Sequence, residues 1–271
     1  MDHYAIIGNP IEHSRSPKIH LLFGEQLQHA LVYEKIEATE KTFQEKVEGF
    51  FTRGGKGINI TVPFKRLAFS ISDKLGDYAS SCGAVNTLSF SEDGRIYGES
   101  TDGNGLVEDL KNNDVAIENK SILIVGAGGT AQSIIPSLLA NNVGQIFLTN
   151  RSPNNAIKLK EQYLHLTEIE CLDGWSINRN FDLVINTTSA HLSGELPEIE
   201  PIAVEKATSY DVNYSYGETL FQSWATNHGA TKSLQGWGML VEQAAESFYI
   251  WRGVRPKTRV VIDRLSSEPE N

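Results

Sequence analysis

Ser121-Ile122-Leu123-Ile124-Val125-Gly126-Ala127-Gly128-Gly129-Thr130-Ala131 decides the fold of this chain. Ser121–Val125 is a short, nearly continuous apolar run, the pattern of a strand buried on both faces. The next six residues fit G-x-G-x-x-A, and the segment beyond carries Ala131, Ile134, Ile135, Leu138 and Leu139 at helical i, i+3, i+4, i+7, i+8 spacing. Strand, glycine turn and helix in that order open a dinucleotide-binding βαβ unit. Gly126 permits the tight turn, Gly128 lets the backbone approach a pyrophosphate, and Ala131 lets the helix pack close to the strand. The pyrophosphate would sit at the positive end of the helix. Pro136 falls inside this helix and should kink it, at a cost of ~3 kcal/mol that packing must offset.

The next strand, Gln145–Thr149, ends at Asn150-Arg151-Ser152, where the fold places the residue that reads the adenosine ribose. NAD would call for Asp or Glu there. Arg151 can instead neutralise and hydrogen-bond a 2′-phosphate, so NADP is preferred; the plain alternative is an exposed loop cation. Strands at Phe181–Asn186 and Thr208–Val212 end in Asn186-Thr187-Thr188 and Asn213-Tyr214. The carboxyl ends of parallel strands face one crevice, so the glycine turn, Arg151, Thr188 and Tyr214 should converge on one edge.

Upstream, apolar runs at Tyr4–Ile7, Gly57–Val62 and Ala84–Phe90 alternate with helical segments, an α/β pattern. Ser16-Pro17 reads as N-cap and first-turn proline of a helix to about Gln28, Pro63 opens another, and Asp93-Gly94 marks a turn. Beyond Asp102-Gly103-Asn104-Gly105 a helix runs to about Asn112. A long amphipathic helix covers about Met239–Trp251, and the tail Ser266–Asn271 is expected to fray. Two domains follow: an N-terminal α/β domain over 1–101 and a Rossmann-like doubly wound parallel sheet over 102–236. The pattern leaves open which domain the helices of 237–271 join.

Composition narrows the function. With 271 residues, 40 % apolar and 21 % charged, the chain is long and apolar enough to fold. A formal charge of 24 − 34 = −10 argues against non-specific nucleic-acid binding, though not against a local basic pocket. Cys82 and Cys171 form neither a disulfide framework nor a zinc spacing, so no metal is expected. The start Met1-Asp2-His3-Tyr4 carries no secretory pattern, and no apolar run approaches the ~20 residues of a membrane span. A cytoplasmic protein with a small-molecule substrate and no membrane partner is expected.

Four further segments carry a resemblance: Gly8-Asn9-Pro10-Ile11-Glu12-His13-Ser14-Arg15-Ser16-Pro17, Asn59-Ile60-Thr61-Val62-Pro63-Phe64-Lys65, Gly83-Ala84-Val85-Asn86-Thr87 and Ser100-Thr101-Asp102-Gly103. Together with Val125–Gly129, Asn150-Arg151 and Gly238-Met239-Leu240 with Gln243, they look like the signatures of shikimate dehydrogenases, in order along nearly the whole chain. The resemblance implies reversible, NADP-dependent reduction of 3-dehydroshikimate to shikimate on the route to chorismate and the aromatic amino acids. It implies a monomer or homodimer, with residues 237–271 completing the N-terminal substrate domain and the active site in the interdomain cleft. Ser14 and Ser16 would bind the substrate carboxylate. Asn59, Thr61, Asn86 and Gln243 would contact its hydroxyls or fix neighbouring side chains, with Tyr214 joining them. Lys65 and Asp102 would form the catalytic pair. Gly126, Ala127, Gly128, Gly129, Thr130 and Ala131 would hold the cofactor together with Asn150, Arg151, Ser152, Thr188, Val212, Gly236 and Met239.

Each assignment has a structural alternative. Ser16 could be only an N-cap, Asp102 could merely cap its helix, Asn59 and Thr61 could form the solvent face of an edge strand, and Gln243 could be a surface residue. Lys65 resists such a reading: it falls in the first turn of a helix, where the dipole disfavours a cation by ~0.3–1 kcal/mol. His191 stands where the family usually has glycine and reads either as a loop residue or as a neighbour of the nicotinamide. Two rival functions share the scaffold: a quinate/shikimate dehydrogenase of broader substrate and cofactor use, and a non-catalytic NADP-binding regulator.

Overall fold

The computed structural model describes residues 1–91 and 93–267. The chain divides into two compact units, Met1–Gly105 with Leu240–Asp263, and Leu106–Met239 with the residues from Arg264. Elements of the first are β1 (Asp2–Gly8), α1 (Ser16–Leu27), β2 (Leu31–Glu37), α2 (Phe43–Thr52), β3 (Gly57–Ile60), α3 (Lys65–Ile71), β4 (Lys74–Leu75), α4 (Asp77–Cys82), β5 (Thr87–Phe90) and β6 (Ile96–Glu99). They form a mixed sheet of order β2-β1-β3-β5-β6-β4. Strands β1, β2 and β3 run parallel, while β5 is antiparallel to both β3 and β6. The expected turn at Asp93-Gly94 closes the β5–β6 hairpin, with Gly94 at φ +80° and its N–H bonded to the Ser91 carbonyl at 3.0 Å. The core forms where Phe43, Val47, Phe50 and Phe51, one face of α2, meet Ile58, Ile60 and Phe64.

The second unit holds most of α5 (Asp102–Asn112), then β7 (Ser121–Val125), α6 (Gly129–Ala140), β8 (Gln145–Thr149), α7 (Pro153–Tyr163), β9 (Ile169–Cys171), β10 (Leu183–Asn186), β11 (Thr208–Asp211), α8 (Leu220–Asn227) and β12 (Lys232–Gln235). Helices α9 (Trp237–Arg252) and α10 (Arg259–Ser267) follow. All its strand pairs are parallel, in the order β12-β11-β10-β7-β8-β9. The order reverses between β7 and β10, so the glycine turn after β7 stands at the topological switch point. Strand β7 is buried on both faces as its apolar run requires: Ile122 and Ile124 enter one core cluster, Leu123 and Val125 the opposite one.

Helix α6 passes through the buried Pro136. Proline has no N–H to give the carbonyl four residues back, which is that of Gln132. The Tyr163 hydroxyl, from the fully buried end of α7, donates to that carbonyl at 2.6 Å. A side chain from another helix thus replaces the missing backbone bond.

Several sequence expectations need correction. Ser16 is not the N-cap of α1: Arg15 occupies that position, Ser16 is the first helical residue, and the Ser14 hydroxyl accepts the Ser16 N–H at 3.3 Å. Strand β3 stops at Ile60, leaving Val62 exposed, and β5 begins at Thr87 rather than Ala84. Ser266 and Ser267 belong to α10 instead of a frayed tail, whose remaining residues lie outside the described residues. The elements not legible beforehand include β2, β9 and β12, which are sheet-edge strands or neighbours of the edge. In β2 the apolar Leu31-Val32-Tyr33 gives way to Glu34, Lys35 and Glu37, and Lys232-Ser233-Leu234-Gln235 holds a single apolar residue.

One histidine is locked into the first unit's core. The fully buried His20 ring stacks on Tyr33 at 4.5 Å and an interplanar angle of 10°, with Phe23 edge-on at 5.9 Å. Burial holds its pKa down at about 3, against an opposing contribution from Asn59, whereas an unfolded histidine titrates near ~6.5. The unfolded chain therefore binds the proton first. This contribution to stability is complete above about pH 6.5 and is lost as pH falls toward 3, by about 1.4 kcal/mol per pH unit. Urea unfolding at pH 7 and pH 5 should show the native chain losing about 2 kcal/mol more than His20→Leu over that interval; equal losses would show that His20 is not held neutral.

Candidate active site

In the first unit, Lys65 opens the seven-residue helix α3 behind Phe64, with no acidic residue in its first turn. The countercharge comes from another element. Lys65 Nζ lies 2.5 Å from Asp102 Oδ2, the side chains being 27 % and 12 % exposed, so the pair is sheltered yet reachable. Asp102 is the first residue of α5, and its other oxygen accepts from Asn86 Nδ2 at 2.8 Å. Both carboxylate oxygens are thus engaged by side chains, which sets aside the reading of Asp102 as a helix cap. Asn86 precedes β5 and is 3 % exposed. Its Oδ1 accepts the Thr101 N–H at 2.9 Å, and its Nδ2 also reaches Thr101 Oγ1 at 2.9 Å and Gln243 Oε1 at 3.4 Å. Gln243, on α9, is half-buried, and its Nε2 donates to the Leu240 carbonyl at 2.8 Å.

Asn59 is no solvent-face residue. Strand β3 lies inside the sheet between β1 and β5, and Asn59 is 5 % exposed. Its Oδ1 accepts from the Tyr33 hydroxyl at 2.7 Å, and its Nδ2 faces Ser247 Oγ at 3.0 Å, Thr87 Oγ1 at 3.2 Å and the Asn86 carbonyl at 3.3 Å. Thr61, just past β3, donates its N–H to the Ile7 carbonyl at 3.0 Å. It closes over Gly8, where a Cβ would lie 2.4 Å from Thr61 Cγ2. Ser16 is buried and Ser14 half-buried at the start of α1. Burial pushes the Tyr33 phenol well above its ordinary range, with a Ser16 hydrogen bond opposing.

The second unit carries a cavity of about 860 Å³ at the carboxyl ends of β7, β8 and β10. The turn Gly126–Thr130, Asn150, Arg151 and Thr188 line it, so the sheet brings these predicted residues together. Gly126 sits at φ +107°, and a Cβ there would lie 2.6 Å from Thr187 Oγ1, so glycine is required by conformation and by contact. A Cβ on Gly128 or Gly129 would meet nothing within 4 Å. That open space above the N-terminus of α6 is what a pyrophosphate would occupy. Asn150 links turn and loop: its Oδ1 accepts the Ala127 N–H at 3.2 Å and its Nδ2 donates to the Ser152 carbonyl at 2.9 Å. Arg151 is exposed at the rim.

Thr188 is held from beneath by a buried carboxylate. Asp211 Oδ1 accepts from Asn186 Nδ2 at 3.1 Å and Asn213 Nδ2 at 2.8 Å, and Asn186 Oδ1 in turn accepts the Thr188 N–H at 3.1 Å and hydroxyl at 2.8 Å. Burial raises the Asp211 pKa, while hydrogen bonds from Thr219 and Asn213 oppose the rise. The other proposed cofactor residues stand off the cavity. Ala131 is buried in α6, Ser152 occupies the N-cap position of α7, Val212 follows β11, and Met239 is in the core. Gly236 packs so closely that a Cβ would lie 2.1 Å from the Val212 carbonyl. Tyr214 is 39 % exposed and packs against Trp237 at 4.3 Å between ring centroids. His191 is exposed in a 3-10 turn, Ala190–Ser193, as a loop residue would be.

Sequence reasoning missed Asn155 and Trp175, which also line the cavity, and Tyr33, Thr87, Thr101 and Ser247, which bind the asparagines. Spacing alone could have flagged Asn155, one helical turn beyond Arg151. The rest meet only through the tertiary fold.

Comparison with known proteins gives three family matches along the chain. Residues 6–88 match the shikimate dehydrogenase substrate binding domain, residues 108–205 shikimate / quinate 5-dehydrogenase, and residues 236–265 the shikimate 5′-dehydrogenase C-terminal domain. A protein of Alkalilimnicola ehrlichii named shikimate dehydrogenase (NADP(+)) is 45 % identical over 269 residues, covering 98 % of this chain and 99 % of the relative. Among solved structures, an Ael1 enzyme from Pseudomonas putida superposes with a TM-score of 0.92 at 37 % identity, covering 100 % of both chains. A shikimate 5-dehydrogenase from Thermus thermophilus, in complex with NADP(H) and shikimate, gives 0.88 at 26 % identity, covering 98 % of this chain and 100 % of the other.

The two glycines of the turn should separate under mutation. Gly128→Ala is expected to leave the melting temperature of the free protein within about 1 °C while weakening NADPH binding at least about tenfold, because only a bound pyrophosphate would meet the new methyl. Gly126→Ala, strained at positive φ, should lower the melting temperature as well. Fluorescence titration with NADPH and thermal unfolding of both variants check this; tight NADPH binding by Gly128→Ala would show that the backbone is not approached there.

Proposed function

The chain belongs to the shikimate dehydrogenase family, and from that premise we propose that it interconverts 3-dehydroshikimate and shikimate with NADP(H). The observation that carries the reading is the ammonium of Lys65 set against Asp102 with Asn86 and Gln243 beside them. Such a constellation suits a carbonyl oxygen on a carbocyclic ring that gains charge beside a hydroxyl-bearing carbon.

NADPH, when bound, supplies a hydride. As the substrate carbonyl is reduced, its oxygen gains negative charge and needs a proton. Lys65 stabilises that charge and donates the proton from Nζ. Asp102 holds the ammonium in place and accepts from a neighbouring ring hydroxyl, while Asn86 fixes the carboxylate. Ser14 and Ser16 hydrogen-bond the substrate carboxylate at the positive end of α1. Asn59, whose amide is committed within the protein, orients its neighbours rather than touching substrate. In the reading proposed here, residues 1–101 with 237–271 form the substrate domain and 102–236 the NADP domain, and the enzyme works in the cytoplasm.

For the cofactor, the residues present fit the group: open glycines for the pyrophosphate, and Arg151 with no carboxylate at the end of β8 for a 2′-phosphate. Among the described residues Arg151 forms no ion pair, so its charge is available to a ligand.

The first assay follows NADPH formation at 340 nm with shikimate as sole added substrate. Turnover of quinate with NAD at a comparable rate would favour the broader enzyme, and NADP binding without turnover a regulator. Lys65→Ala should lose ~10²–10⁴ in kcat with little change in the KM for NADPH; near-normal turnover would remove Lys65 from the mechanism. Arg151→Ala should raise the KM for NADPH at least about tenfold and leave activity with NADH nearly unchanged, which steady-state kinetics with both cofactors will read. An equal effect on both would mean that Arg151 does not read the 2′-phosphate.

A further inference from the structure

Behind the Lys65–Asp102 pair lies a line of polar groups that the proposed chemistry does not use. The Tyr33 hydroxyl donates to Asn59 Oδ1 at 2.7 Å. Asn59 Nδ2 donates to Thr87 Oγ1 at 3.2 Å, the Thr87 hydroxyl donates to Asn86 Oδ1 at 2.9 Å, and Asn86 Nδ2 donates to Asp102 Oδ1 at 2.8 Å. On its other oxygen Asp102 accepts from Lys65. Tyr33, Asn59, Thr87 and Asn86 are each less than 9 % exposed. Every link runs in the same direction, from a phenol to a carboxylate.

Such a line is polarised. An amide group can be turned end for end with no change of shape, so its orientation is set by what it faces. Burial keeps Tyr33 a neutral phenol, and the proton it gives to Asn59 turns the Asn59 carbonyl toward it. The Asn59 amino group is thereby turned toward Thr87 and Ser247. Thr87, receiving from Asn59 and lying 2.7 Å from Ser247 Oγ, gives its proton to Asn86 Oδ1 beside the Thr101 N–H, which holds the same oxygen at 2.9 Å, and the Asn86 amino group points at Asp102. Aligned hydrogen bonds in a dry interior strengthen one another. The far end lies under the His20 ring, which stacks on Tyr33 at 4.5 Å and is itself buried.

We propose that Tyr33 is a positioning residue for the reaction: its hydroxyl sets the direction of the Asn59–Thr87–Asn86 line and so orients the Asp102 carboxylate that holds Lys65. Tyr33 touches neither substrate nor cofactor in this assignment. The inference rests on the reading of Lys65 and Asp102 as the catalytic pair.

The test is a double-mutant cycle in the full chain with shikimate and NADP. Tyr33→Phe removes only the hydroxyl, and Thr87→Val cuts the line at its middle with an isosteric side chain. Each should lower kcat about tenfold, the effect of one mispositioned hydrogen bond, with the KM for NADP unchanged. Because the line is already broken in either variant, Tyr33→Phe/Thr87→Val should be no slower than the slower single variant. Thr87→Ser restores the hydroxyl and should recover most of the loss. Native kcat in both single variants, or multiplicative losses in the double variant, would overturn the proposal. If Tyr33→Phe does not fold, Thr87→Val against Thr87→Ser decides alone, and equal kcat values overturn it. Lys65→Ala run alongside separates the two levels. An active Lys65→Ala removes the catalytic pair and this inference with it, whereas an inactive one beside native Tyr33→Phe and Thr87→Val removes the inference only.

Discussion

An ammonium at the first position of a helix sits where the backbone already presents positive charge, and α3 offers it no acidic residue in its first turn. The arrangement of the first unit follows from answering that charge from elsewhere. Asp102 comes from the start of α5, and a carboxylate only partly open to water needs donors of its own. Asn86 provides one, and an asparagine buried beside a strand must in turn be satisfied, which brings in Thr101, Thr87 and, through them, Asn59 and Tyr33. Each polar group buried to serve the pair above it requires the next. The strand order that sets β3 next to β5 is what puts these side chains within reach of one another.

The second unit meets a different constraint. A nucleotide phosphate is bound by backbone rather than by side chains, so the chain must come close to it and leave room. Gly126 turns at positive φ against Thr187, and the space above Gly128 and Gly129 stays open. The walls are fixed from below: Asp211 holds Asn186, Asn186 holds Thr188, and Asn150 ties the turn to the loop bearing Arg151. Even the proline in α6 is accommodated by a distant group, the Tyr163 hydroxyl filling in for the bond that Pro136 cannot make.

Both units show which parts of a site can be read from a linear pattern. The glycine turn was legible because its logic is local: four apolar residues, a tight turn and a helix are contiguous, and Arg151 follows at the distance the fold dictates. Lys65 was legible because a cation there breaks a local rule. Ser16 was misread for the same reason in reverse, since a serine before proline satisfies a local capping rule that the backbone does not in fact use. Asn59 looked like one face of an edge strand because its neighbours in sequence alternate; only the sheet order reveals that strands cover it on both sides.

The sequence by itself determined the α/β class, the parallel sheet and the glycine turn after β7, because each depends on residues close together along the chain; it singled out Lys65 and Asp102 as candidates without showing that they meet. It did not determine the edge strands β2, β9 and β12, where charged residues such as Glu34, Lys35, Glu170 and Lys232 break up the apolar pattern. Nor did it determine which groups stand behind the Asp102 carboxylate. Tyr33, Asn59, Thr87 and Ser247 lie on four separate elements, and hydrogen bonding acts over about 3 Å of space regardless of distance along the chain. That part of the protein exists only once the sheet has closed.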